Sequence, residues 1–270
     1  TGVKSSTKLT ITLTPTNTTA AVSGTFNPQI TLQPFKLKKG DLITMDLVEG
    51  DEAVIGLADT YRILKTDGNI AEVVAMYTTK TSQKYWTTNV TTTDAKGKTV
   101  TKYEGSDLDK YLNETWYGTL STKAQDAIVG NNITQYSYGI GHSAITHASS
   151  ADYSTKSVVY QDTAKKVTLS RNVYALDVED IEFYFNGTMG ENGKTAGTYS
   201  DADIWKLFWD TTTKPSTVTS PWLRSARTDD SRDAWFVFFY DGHMGINPVD
   251  STAATVRAAF KIDLSKIDWA

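Results

Sequence analysis

The 270-residue sequence contains no cysteine, which removes disulfide bonds, thiolate metal sites and cysteine nucleophiles together. No apolar run approaches the roughly 18 residues that a membrane helix needs, so membrane insertion is not expected. Lys and Arg are nowhere clustered and the net charge is −4, which gives no footing for nucleic acid and its phosphates. Catalytic signatures are missing too: the chain has no GxSxG, P-loop, GxGxxG or HExxH. His142, His147 and His243 lack metal-ligand spacing. The carboxylates Asp177, Glu179, Asp180 and Glu182 fall on the polar face of a predicted helix and do not form a glycosidase pair. No catalytic residue, bound metal or cofactor is implied, and an enzyme is not expected.

A local absence is sharper. Between Lys214 and Lys261 lie forty-six residues without one Lys, Glu or Gln, although these types fill 21, 8 and 6 positions of the chain. At that frequency about six would be expected. Charge persists there as Arg224, Arg227, Arg232 and Arg257 and as Asp229, Asp230, Asp233, Asp241 and Asp250. Beside it stands the run Trp235-Phe236-Val237-Phe238-Phe239-Tyr240. Planar guanidinium groups, short carboxylates and aromatic rings are the composition of a recognition surface.

Along the chain, residues 1–35 are rich in Thr, Val and Ile, and Leu9, Ile11 and Leu13 alternate with Thr as in a half-buried strand. A β-rich N-terminal segment over 1–40 is therefore expected, with its boundary near 36–40 and a larger domain over 41–270. The chain opens at Thr1 and not at Met, so a processed or trimmed form is expected. Asp67-Gly68 between two β-prone runs predicts a hairpin. Ser106 and Asp107 can cap a helix through Leu108, Tyr111, Leu112 and Trp116, and a second helix fits 121–129. Residues 135–153 read as loop, 166–170 as strand, 177–185 as helix, 187–197 as loop and 201–208 as a short helix. The tail gives strands at 222–225, 235–240, 244–249 and 255–262, with Asp241-Gly242 turning a hairpin. Strands first, helices in the middle and a strand meander last amount to an α+β fold.

Strand alternation places Trp235, Val237 and Phe239 on one face, and Phe236, Phe238 and Tyr240 on the other. With Trp235 and Val237 inward beside Trp222, Leu223 and Val256, the second set points outward. The alternative is a strand covered on both faces, as buried central strands are. Arg224 and Arg257, each between apolar neighbours in a strand pattern, are expected to be structural, binding backbone carbonyls or a carboxylate. Asp241, Asn247 and Asp250 are oxygen donors in one region, which keeps a calcium-dependent carbohydrate-binding lectin as an alternative, although turns favour the same residue types.

The run Trp222-Leu223-Arg224-Ser225, then Ala234-Trp235-Phe236-Val237, the turn Asp241-Gly242 and the closing Val256-Arg257-Ala258-Ala259-Phe260 resemble the bacterial and viral domain family DUF6273. The resemblance extends over about 41–262, with Ala258 standing where the family usually has Pro. It implies a C-type lectin-like fold with a short β-rich N-terminal segment. Proteins of this kind resemble targets of diversity-generating retroelements, in which adenines of a C-terminal template rich in Asn codons are rewritten. An Asn codon with its adenines replaced cannot become Lys, Glu, Gln, Met or Trp. The positions that look diversified, within about 222–260, are Arg227, Asp230, Arg232, Asp233, Phe236, Phe238, Tyr240, His243, Gly245, Ile246, Asn247, Pro248, Asp250 and Ser251. The ligand-binding set expected from them is Arg227, Asp230, Arg232, Asp233, Phe236, Phe238, Tyr240, His243, Ile246, Asn247 and Asp250. The implied function is receptor recognition on a virion tail or an extracellular or cell surface, with a protein or glycan ligand on a target cell. Formylglycine-generating oxidases share this fold, but their thiol chemistry requires cysteine.

Overall fold

In a computed structural model the described residues are 37–45, 47, 60–93, 99–135, 167–186, 201–209, 220–227 and 230–267. The expected N-terminal strand, His142 and His147, and the loop at 187–197 lie outside them, as does all but the first residue of the loop at 135–153.

The architecture is α+β, with a few short helices and several antiparallel sheets. Strands β1 (Leu42–Thr44), β2 (Thr60–Asp67) and β3 (Ile70–Ala75) begin the larger sheet, in which β3 is followed by β14 (Ala259–Asp263) and β6 (Ile128–Val129). The short β9 (Val173–Tyr174) also pairs with β14. The hairpin predicted at Asp67-Gly68 is present: Asp67 pairs with Ile70, and Gly68 takes φ +58°, a left-handed conformation that a Cβ would oppose. Strand β4 (Thr91–Thr93) pairs antiparallel with β5 (Thr99–Thr101), and β7 (Asn131–Gln135) pairs antiparallel with β8 (Val167–Arg171).

Both predicted helix starts are capped as their sequences suggest. Ser106 Oγ accepts the amide of Asp109 at the head of α1 (Asp107–Lys110), and Ser121 Oγ accepts that of Ala124 at the head of α2 (Thr122–Ala127). After α1 the chain runs on as a π-helical turn, Tyr111–Trp116, in which the Asn113 amide reaches the carbonyls of Asp109 and Val173. The helix expected over 121–129 stops at Ala127, because Ile128 and Val129 leave it to pair with Ile262 and Lys261. Helices α3 (Val178–Asn186) and α4 (Asp201–Phe208) occupy the predicted positions.

The second sheet has the order β12-β11-β10-β13, built from β10 (Ser220–Ala226), β11 (Asp233–Val237), β12 (Met244–Pro248) and β13 (Ala254–Thr255). The strand expected at 255–262 is divided. Ala254 and Thr255 run parallel to β10, and Ala259 to Asp263 belong to the larger sheet, so 256–258 pass from one sheet to the other. Arg257 sits in that passage. Its Nη1 donates to Phe208 O at 2.6 Å and Ala75 O at 3.3 Å, and its guanidinium lies 5.3 Å from the Trp209 ring centroid. Arg257 thus ties the end of α4 to the end of β3 through backbone carbonyls, the structural role expected for it. The core between these elements includes Tyr85, Tyr103, Phe208, Trp222, Trp235 and Phe260, all fully buried. Each such side chain contributes about 1.5–3 kcal/mol by leaving water.

Candidate ligand-binding surface

The edge of the second sheet carries the side chains singled out above. Strands β11 and β12 pair in register, Asp233 with Pro248, Trp235 with Ile246, Phe236 with Gly245 and Val237 with Met244. The strand expected to run to Tyr240 ends at Val237. Beyond it, Phe238 N donates to His243 O at 2.8 Å, and Gly242 N returns to Phe238 O at 2.9 Å with Gly242 at φ +87°. Phe239 is drawn inward from two sides: its N–H donates to Ser220 Oγ at 3.3 Å, and its carbonyl accepts Trp205 Nε1 from α4 at 2.8 Å. Tyr240, the next residue, is turned out and is 71% exposed.

Phe236 departs from the outward reading. It is 6% exposed, with its ring 6.1 Å from that of Trp222 and 4.4 Å from that of Phe238. Phe238 in turn stacks on His243, centroids 4.1 Å apart and planes 22° from parallel. A file of rings therefore leads from the core at Trp222 to the half-exposed His243. Gly245 makes room for it, since a Cβ there would stand 2.7 Å from Phe238 Cε2 and 3.4 Å from Phe236 Cε1. Alternation placed Phe236 opposite Trp235 correctly. The second face of the strand is covered, however, by the aromatic side chains beside it.

At the turn, Asp241 Oδ1 accepts the His243 amide at 3.1 Å and lies 2.7 Å from His243 Nδ1, which fixes the imidazole against Phe238. At the other end of β11 the charges are paired locally. Arg232 Nε and Nη2 meet the Asp230 carboxylate at 3.1 and 2.9 Å, and Arg227 Nη1 meets Asp233 Oδ2 at 2.5 Å. The Arg232 side chain and its amide hold the Asp230 carboxyl down at about 2. Val249 N bonds Arg232 O at 2.8 Å, and Asn89 Nδ2 reaches Ser231 O at 2.9 Å. Nothing in the sequence marks Asn89 or Trp205 as supports of this surface, because both act over more than thirty residues of separation.

Eight of the eleven expected ligand residues thus fall into two groups at opposite ends of five-residue strands, roughly 14 Å apart at about 3.4 Å per residue, and Phe236, Ile246 and Asn247 lie between them. Phe238, Tyr240 and His243 share the turn with Asp241. Arg227, Asp230, Arg232 and Asp233 share the far end with Asp250, which is exposed. Ile246 is half-buried opposite Trp235 and packs on the core. Asn247 uses its amide within the chain, donating to Ser251 Oγ at 3.0 Å.

Arg224 is buried and belongs to neither group. Its Nη2 is 2.9 Å from Asp177 Oδ2, and its Nη1 is 2.5 Å from Asp180 Oδ2 and 2.8 Å from Ala175 O. Asp177, just before α3, and Asp180 within it thus form an ion-pair network with Arg224, and Asp177 and Glu179 are buried instead of lying on the polar helix face expected for them. Among the described residues no group of three or more His, Asp or Glu is placed to hold a metal ion, and no helix is long and apolar enough to cross a membrane.

The architecture defines an α+β domain whose C-terminal four-stranded sheet presents a mixed aromatic and charged edge. The family described as Domain of unknown function (DUF6273) matches residues 74–264, and the chain belongs to that family. No curated protein and no solved structure gives a significant match.

Proposed function

We propose that this is a ligand-binding protein without catalytic activity, of C-type lectin-like fold. In this reading its C-terminal surface, about 222–260, is rewritten by a diversity-generating retroelement and displayed on a virion or cell surface to recognise a protein or glycan on a target cell. The observation that carries the reading is a partition of burial. Of the fourteen positions that look diversified, only Phe236 and Gly245 are buried. Trp222, Trp235 and Met244, which no rewritten Asn codon can specify, are 1%, 0% and 3% exposed. This partition supports the reading, since a protein that changes its ligand and keeps its fold would vary at the surface and hold its core.

The DNA downstream of the coding region tests the diversification. The expected finding is a near-copy of the tail that differs only at adenines, beside a reverse transcriptase gene; an ordinary intergenic sequence overturns it. Binding is tested separately with arrays of glycans and cell-surface proteins, probed with the wild type and with the triple variant Arg232→Ala, Tyr240→Ala, Asp250→Ala. Ligands held by the wild type are expected to be lost in the variant. Equal binding by the folded variant overturns the site.

A further inference from the structure

The ligand-binding reading leaves open what chemistry the turn after β11 selects. On the strength of that reading, we infer that residues 238–243 form a docking surface for a basic side chain, Lys or Arg, of a partner protein. Tyr240 is far the most exposed large apolar side chain among the described residues, 71% against 42% for Leu42 and 40% for Val90 and Phe183. Its ring is presented by a fixed backbone, because Phe239 immediately before it is bonded to Ser220 and Trp205. An exposed aromatic face with little of its own freedom to lose suits a cation laid over it.

The neighbouring charge has the matching sign. Asp241 follows Tyr240 directly, its side chain is 50% exposed, and its contact with His243 holds the carboxylate in place. Elsewhere on this edge Arg232 is matched by Asp230 and Arg227 by Asp233. With those two pairs set aside, the formal charges left among the described residues of 227–251 are Asp241 and Asp250, taking His243 as neutral. The stretch supplies no Lys at all, so no ammonium of its own competes for the carboxylates. A phosphorylated or acidic ligand meets repulsion here, and a neutral glycan gains nothing from the charge. A guanidinium or ammonium gains twice, from the Tyr240 face and from a charge-assisted contact to Asp241.

The test uses the intact, isotope-labelled protein and three probes: a capped arginine-rich pentapeptide, its glutamate counterpart and a neutral oligosaccharide. Amide shifts of residues 238–243 are followed by NMR. The arginine peptide is expected to move these signals with millimolar affinity and to weaken at least fivefold when salt is raised to 0.5 M, since rim contacts are screened. Asp241→Asn, which keeps an oxygen for the His243 amide, and Tyr240→Ala are each expected to weaken it at least threefold. Asp67→Asn, on the exposed β2–β3 turn, is the control and is expected to change nothing. Equal shifts with both peptides, or an equal loss in Asp67→Asn, overturn the inference as unspecific attraction to an acidic chain. Stronger movement of the same signals by the oligosaccharide also overturns it, while leaving the surface a ligand site of another chemistry.

Discussion

The guanidinium of Arg224 and the carboxylate of Asp177 lie 2.9 Å apart with side chains only 2% and 1% exposed. Burial pushes the Asp177 carboxyl up, against the pull of Arg224. Such a pair contributes little net energy over an apolar replacement of both members, yet breaking it is costly, because one charge is then left in the interior. Arg224→Met is expected to destabilise the fold by about 3–5 kcal/mol in urea unfolding, with part of the loss regained when Asp177→Leu is added. A loss under 1 kcal/mol for the single variant would show that the pair is not an internal fastener between β10 and the start of α3.

The aromatic file has a buried end and an exposed end, and truncation should distinguish them. Phe236→Ala and Trp222→Ala each remove a large buried side chain and are expected to cost about 3–5 kcal/mol. Tyr240→Ala removes an exposed ring and is expected to stay within about 0.5 kcal/mol of the wild type. Chemical denaturation of the three variants reads this directly; an unchanged midpoint for Phe236→Ala would return that ring to the surface.

Asp230 provides a titration with a defined direction. Its folded value of about 2 is lowered chiefly by the Arg232 side chain. A carboxyl held down in the folded state contributes above its ordinary pKa of about 3.9, and the contribution is lost as pH falls through the folded value. The side-chain carbon signal of Asp230 should therefore titrate near pH 2, and Arg232→Ala should return it towards the ordinary range. A wild-type midpoint near 4 would mean that Arg232 points away and is available to a ligand.

Much of this arrangement was legible in the residues. Asp67-Gly68 fixed a hairpin because few residues tolerate the turn it needs, and Ser106 and Ser121 marked helix starts because their hydroxyls satisfy otherwise unpaired amides. Arg224 and Arg257 read as structural because a guanidinium between apolar neighbours must find acceptors. The burial of Phe236 was legible only as the alternative of a strand covered on both faces. Period-two alternation assigns a residue to a face but says nothing of what covers that face, and here the cover is Trp222 on β10 and the Phe238 ring folded back from the turn. The break at 256–258 was hidden for a related reason: continuous apolar text looks alike whether it stays in one sheet or passes between two.

Gly245 and Phe238 should prove energetically coupled. A valine at 245 would drive its Cβ into the Phe238 ring, whose other neighbours are Phe236 and His243. Gly245→Val alone is expected to cost about 1–3 kcal/mol by overpacking. In Phe238→Ala the same change should cost at least 1 kcal/mol less, a coupling that a double-mutant cycle measures. Additive effects would show that the ring moves aside freely.

If the tail is diversified as proposed, that close approach limits how many versions of this surface can exist. Positions 238 and 245 are seven apart in sequence, yet they compete for one volume, so the residue drawn at one sets the size tolerated at the other. Under that proposal, multiplying the choices at each position would overstate the usable library: glycine at 245 goes with a broad ring at 238, and a larger residue at 245 calls for a smaller partner. Arg232, whose side chain is 80% exposed, could vary in that reading without such bargaining, whereas Tyr240 lies with its ring 3.8 Å from that of the buried Phe239.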